Sequence, residues 1–171
     1  VVVNLIAVAA IFLVLLVTFK SAVLPFILVL TIETGIWINL AIPYFSGTPI
    51  NFLGYLILST IQLGATVDYA ILLTNTYMKD RQKMSKREAI SVSLGSAFKS
   101  ILVSALTLST AGFVLYATSS NSSIADIGLL LGRGTLLSLT MVVCFLPTLL
   151  VAFDKVIEKT THKTNFYHPS K

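Results

Sequence analysis

Charged side chains are scarce: Asp, Glu, Lys and Arg make up 11% of the 171 residues, far below the usual quarter of a soluble domain. There are two histidines, His162 and His168, both near the end of the chain, and one cysteine, Cys144. A single cysteine excludes an internal disulfide, and its apolar surroundings suggest a packing role. No HExxH or GxSxG pattern occurs, no second aspartate accompanies Asp68 within the apolar segments, and no Gly-rich phosphate loop is present. These absences argue against metal-dependent, serine-type or aspartyl hydrolysis and against an ATP site. The chain is therefore read as a non-enzyme with no bound cofactor.

Hydrophobic residues fill the space the charges leave, at 56% with a mean hydropathy of +0.90. A hydrocarbon core about 30 Å thick needs roughly 20 apolar residues per helix, and such stretches recur along nearly the whole sequence. The expected class is all-α, a polytopic membrane bundle of five transmembrane helices at about 1–19, 22–42, 51–77, 97–117 and 127–153. A short amphipathic surface helix is expected at about 86–95, where Ser85-Lys86-Arg87-Glu88 forms a capping-box pattern ahead of Ala89, Ile90, Val92 and Leu94. Pro43 is expected to stop the second helix, residues 44–49 to form a loop, and Pro147 to bend the fifth. Residues 1–153 thus read as one transmembrane domain and 154–171 as a basic cytoplasmic tail. The first residue is not methionine, which suggests a piece of a longer protein.

The basic residues set an orientation. Lys79, Arg81, Lys83, Lys86 and Arg87 follow the third helix, whereas the connections after the second and fourth carry none. That pattern puts the third connection, Lys20 and the tail in the cytoplasm and the start of the chain outside, in a plasma membrane. The net charge of +5 is explained by this orientation, and no nucleic-acid partner is expected.

Three ionisable residues fall inside the apolar segments: Glu33, Asp68 and Arg133. A charge in hydrocarbon costs about 2.5 to 3.5 kcal/mol on insertion scales, so each needs a reason. Asp68, about four residues past the middle of the expected third helix, is too deep to reach water and suits proton carriage. The competing reading is a protonated structural aspartate. Tyr69, Gln62 and Thr66 share one side of that helix and Gly64 shares the side of Asp68. Glu33 is either a second titrating group or a protonated glutamate joining two helices. Arg133 either snorkels outward or serves an ion pair or substrate contact. Ser100, Ser104, Thr107 and Ala111 make a small polar stripe, and Gly128 with Gly132 forms a GxxxG packing pattern, with Gly64 a further packing candidate.

The segment Gly64-Ala-Thr-Val-Asp68-Tyr69-Ala70, the "SKREAI" stretch, Gly128 and the closing "FLPTLLVAFDKV" together resemble the MMPL branch of the resistance-nodulation-division transporters. The resemblance implies the second to sixth helices of the C-terminal membrane half. It implies proton-driven export of lipids or hydrophobic compounds, with Asp68 relaying protons and Tyr69 hydrogen-bonding the matching pair of the other half. The implied partners are membrane lipids, the rest of the same transporter and a homo-oligomer. The alternative is a non-transporting lipid- or sterol-sensing or scaffold module in which Asp68 is structural.

Overall fold

The computed structural model describes residues 2–45, 47, 52–161 and 166. Among these residues there is no strand, and five helices are long and apolar enough to cross a membrane. The elements are α1 (Val2–Phe19), α2 (Val23–Phe45), α3 (Phe52–Asp80), α4 (Lys86–Thr118) and α5 (Ser122–Thr140), the last continued by a π-helical turn (Met141–Phe145) into α6 (Leu146–Ala152) and followed by α7 (Asp154–Thr160). Short connections make successive helices antiparallel, so Lys20, Arg81–Ser85 and α7 gather at one end, hereafter the basic end.

Several expected boundaries move. The 86–95 stretch is helical but not a separate surface element. It runs unbroken through Ser96 into the spanning segment as the first turns of α4. Its start is capped as the sequence suggests, with the Ser85 backbone N–H donating to Glu88 Oε2 at 3.3 Å. Pro43 does not stop α2, which continues to Phe45. Of the loop expected at 44–49, Tyr44 and Phe45 end α2 and Gly47 adopts a φ of +67°, while Ser46, Thr48 and Pro49 lie outside the described residues. Asn51, the expected start of the third helix, also lies outside them, and α3 reaches three residues further than expected, to Asp80.

Where the sequence suggests a bend at Pro147, the helix continues through a π-helical turn. Proline supplies no N–H for the carbonyl one turn back, and the helix accommodates this with a wider turn in which the Leu146 N–H donates to the Met141 carbonyl. Cys144 sits on this turn and is exposed rather than packed. Nor are residues 154–160 a free tail: they form α7, whose Asp154 and Ile157 are buried, with Thr160 3.2 Å from Ser21. Residues 162–165 and 167–171, with Lys163, Lys171 and both histidines, lie outside the described residues.

The tightest helix pair is α4 against α5. A Cβ built on Gly112 would stand 2.8 Å from the Gly128 carbonyl oxygen, and one on Gly128 would stand 2.7 Å from the Gly112 carbonyl oxygen. Gly132 packs against Phe113, and its carbonyl accepts the Ser109 hydroxyl at 2.9 Å. Backbone approach this close admits no side chain. Gly64 behaves differently: no described residue lies within 4 Å of a Cβ placed there. Gly112→Val should therefore force the pair apart and destabilise the protein by about 1–3 kcal/mol, as overpacking does. Thermal unfolding in detergent reads this as a lowered melting temperature, with Gly64→Ala as the near-neutral comparison.

Candidate functional site

The pattern along α3 separates two faces. Ser59, Gln62, Leu63, Thr66, Tyr69, Ala70, Leu73 and Tyr77 are buried against the other helices, while Ile61, Gly64, Asp68, Leu72 and Asn75 form an exposed stripe. Steps of three and four residues return to the same side of a helix, which is why the two sets interleave in sequence yet part in space. Thr66 is the middle residue of α3, so Asp68 lies only about 3 Å toward the basic end at 1.5 Å per residue, nearer the centre than the shorter expected helix placed it.

Asp68 and Tyr69 line one cavity of about 300 Å³ between α3 and α4, facing Ser100 and Ser104. The aspartate is on the exposed side and makes no hydrogen bond to a described residue, whereas Tyr69 is 7% exposed. Two hydroxyls of the α4 stripe thus join the acid. Thr107 instead bonds back to the Val103 carbonyl at 2.8 Å, and Ala111 is exposed away from the cavity lining.

Arg133 has a different environment from those the sequence offered. Its guanidinium turns inward, Nε donating to Asn39 Oδ1 at 3.0 Å and Nη2 to the Asn39 carbonyl at 3.1 Å. Among the described residues it pairs with no acid. The Asn39 carbonyl is available because Pro43, one turn on, has no N–H to donate to it. From Asn39 the network extends inward. Asn39 Nδ2 donates to Gln62 Oε1 and to the Leu130 carbonyl, each at 3.0 Å. Gln62 Nε2 donates to Ser138 Oγ at 3.0 Å and to the Gly134 carbonyl at 3.2 Å. Thr66 donates to the Gln62 carbonyl at 2.7 Å. A side chain at Gly134 would collide with both amides. Asn39 and Gln62 lie about 7.5 and 6 Å from the middles of α2 and α3, and Arg133 about 6 Å from the middle of the continuous span Ser122–Ala152, each on the side away from the basic end, so they tie the three helices together in one layer.

The sequence reading missed Asn39, Gly134 and Ser138 as members of this network. The available signal was Asn39 four residues before an intrahelical proline, the position whose carbonyl loses its donor. Asn39→Leu should remove the Oδ1 acceptor of Arg133 and the amide donor to Gln62 and the Leu130 carbonyl, leaving the arginine only the backbone carbonyl at position 39, and cost about 1.5–3 kcal/mol, the range for a hydrogen bond to a charged group. An unchanged melting temperature in detergent would contradict the bonding role.

A second buried cluster was also missed, at the basic end. Arg81 and Asp154 form a salt bridge at 3.0 Å with side chains 6% and 3% exposed. Tyr77 donates to Asp154 Oδ1 at 2.6 Å, Arg81 Nη1 donates to the Met84 carbonyl, and the guanidinium lies 5.0 Å from the Phe166 ring centre. Burial opposes the Arg81 charge, but the Asp154 carboxylate outweighs it and holds the guanidinium pKa above its ordinary value. This clasp fixes the end of the Asp68 helix to the chain that follows α6.

Glu33 does not bridge to α3. One of its carboxyl oxygens, Oε1, is buried without a hydrogen-bond partner among the described residues. It lines a separate cavity between α1, α2 and α3.

This arrangement can be set beside known proteins. The sequence model of the MMPL family matches residues 1–168. The chain belongs to the MMPL family. Membrane protein ActII-3 of Streptomyces coelicolor is 31% identical over 147 residues, which is 83% of this MMPL chain and 20% of that protein. The MMPL chain thus spans about a fifth of the relative it matches, and it is a multi-pass membrane protein with five spanning helices.

Proposed function

We propose that this chain is the membrane domain of a proton-motive-force-driven exporter of lipids or hydrophobic compounds, with Asp68 as the group that takes up and releases the proton. The observation that carries the reading is the placement of Asp68: near the centre of a spanning helix, on an exposed stripe, and without a hydrogen-bond partner among the described residues. An ionised carboxylate facing lipid at that depth is costly, and so the stripe is a surface for another part of the transporter. Its partner there decides whether the charged or the neutral form is favoured. Protonation then changes what the stripe can pair with, and that biases one packing of the helices over another. Tyr69, Ser100 and Ser104 offer hydroxyls to the same cavity and supply the donors that a carboxylate needs on the way in or out. In this reading the basic end is cytoplasmic, following the excess of lysine and arginine there. The proton gradient takes the place of a cofactor.

Efflux of a hydrophobic dye from cells making the full-length protein tests the coupling. A protonophore that collapses the gradient should reduce efflux to passive leak. Efflux that continues undiminished would favour a module that does not depend on protons.

A further inference from the structure

Glu33 presents a problem that the Asp68 relay does not absorb. It lies one residue from the middle of α2, in the bilayer interior, with Oε1 buried and unpartnered among the described residues. Trp37, one turn along the same helix, engages the carboxyl group but leaves that oxygen unmet. The side-chain oxygen of Asn4, on α1, is likewise buried and unpartnered. The two residues line the same cavity, of about 370 Å³, together with Leu5, Val8, Trp37 and Tyr55.

The chemistry of the lining restricts what fits. With Glu33 ionised both unsatisfied atoms are acceptors, so the missing group is a donor. A carboxylate repels an anionic headgroup, and a hydroxyl brings one donor and no charge. A primary ammonium brings three donors and a charge to set against Glu33. Trp37 is 68% exposed and offers an indole beside the same carboxyl, a surface that also favours a cation. Leu5 and Val8 form the apolar part, on a helix whose exposed surface is mostly Val, Leu and Ile, so an attached hydrocarbon chain has a continuous apolar path along α1.

We infer that the cavity between α1, α2 and α3 binds the ammonium headgroup of an amphiphile, with Glu33 as its counter-charge and Asn4 as a second acceptor. This site is distinct from Asp68, which lies on the face of α3 turned toward α4.

Trp37 is the single tryptophan of these 171 residues, so the fluorescence difference between the full-length protein and its Trp37→Phe variant reports on the cavity. The purified protein in micelles is titrated with dodecylamine and, separately, with dodecanol. Dodecylamine should give a saturable change and dodecanol none. Glu33→Gln should weaken the amine response about tenfold or more, the loss of one charge-assisted contact, while Asp68→Asn leaves it intact. Nanodiscs made with phosphatidylethanolamine or with phosphatidylglycerol then identify the source. Competition by the former assigns the site to a lipid headgroup, and equal responses in both assign it to a free amphiphile. A saturable response to dodecanol equal to that for dodecylamine, or an unchanged midpoint in Glu33→Gln, would overturn the proposal. If Glu33→Gln does not fold, the comparison of amine with alcohol on the unaltered protein decides it alone.

Discussion

Asp68→Asn is expected to abolish proton-coupled export by the full-length protein, reducing it at least about a hundredfold, while the protein still folds and reaches the membrane. A loss of that size corresponds to removing an obligatory proton-transfer group. Folding is spared for a structural reason. Asp68 makes no hydrogen bond to a described residue and sits on an exposed stripe, so the amide replaces it without leaving a partner unmet within the chain. Asparagine keeps the size and hydrogen-bonding capacity of the acid and removes only its titration. Asp68→Glu retains a titrating group at a displaced position and should keep part of the activity. Tyr69→Phe removes only the neighbouring hydroxyl and should reduce export less than Asp68→Asn. Full export by Asp68→Asn against a gradient would assign Asp68 a structural role.

The largest loss of stability is expected at the buried ion pair of the basic end. Asp154→Ala should destabilise the protein by about 3–5 kcal/mol, because it leaves the Arg81 guanidinium buried without its carboxylate. Tyr77 loses its acceptor in the same step, and Arg81 loses its close carboxylate while keeping the Met84 carbonyl and the Phe166 ring. The double replacement Arg81→Met with Asp154→Leu removes both charges and should recover most of that loss, since a buried pair exchanged for packed apolar groups is often close to neutral. Thermal unfolding in detergent of the single and double variants measures the difference. Equal stability of Asp154→Ala and the unaltered protein would show that the clasp contributes nothing. Because Arg81 directly follows α3, loosening the clasp should also reduce export by freeing the end of the Asp68 helix from α7.

The spanning helices were legible because their signal is compositional: long apolar runs in a chain with few charges leave no other arrangement for the backbone hydrogen bonds. The family resemblance was legible from the Asp68-Tyr69 pair and its surroundings. Boundaries were harder. Pro43 and Pro147 read as a stop and a bend, yet α2 runs past the first by handing the Asn39 carbonyl to Arg133, and the chain passes the second through a π turn. Neither accommodation is visible without the neighbouring helix or the wider hydrogen-bonding pattern. Ser96 was read as a break because the polar residues before it suggested a surface helix, but helical hydrogen bonding continues through them and α4 emerges from the apolar region without interruption.

The polar side chains were the least legible part. Arg133 and Gln62 were singled out for being polar in an apolar segment, but periodicity places a residue on a face without naming what it meets there. Asn39 supplied the link between them, and Gly134 the space. Arg81 and Asp154 are 73 residues apart and read as loop and tail charges, whereas the seating of α7 against α2 and α6 at the basic end brings the two together and buries both. Gly64 meets no described residue for the same reason: periodicity puts it on the Asp68 stripe without naming what covers it.

The central claim is that Asp68 exchanges a proton within the membrane, and infrared difference spectroscopy of the full-length protein reconstituted in lipid tests it most directly. The account predicts a protonated-carboxyl stretch that appears and disappears reversibly as pH is cycled and is missing from Asp68→Asn. A carboxyl spectrum identical in the two proteins throughout the pH range that supports export would contradict it.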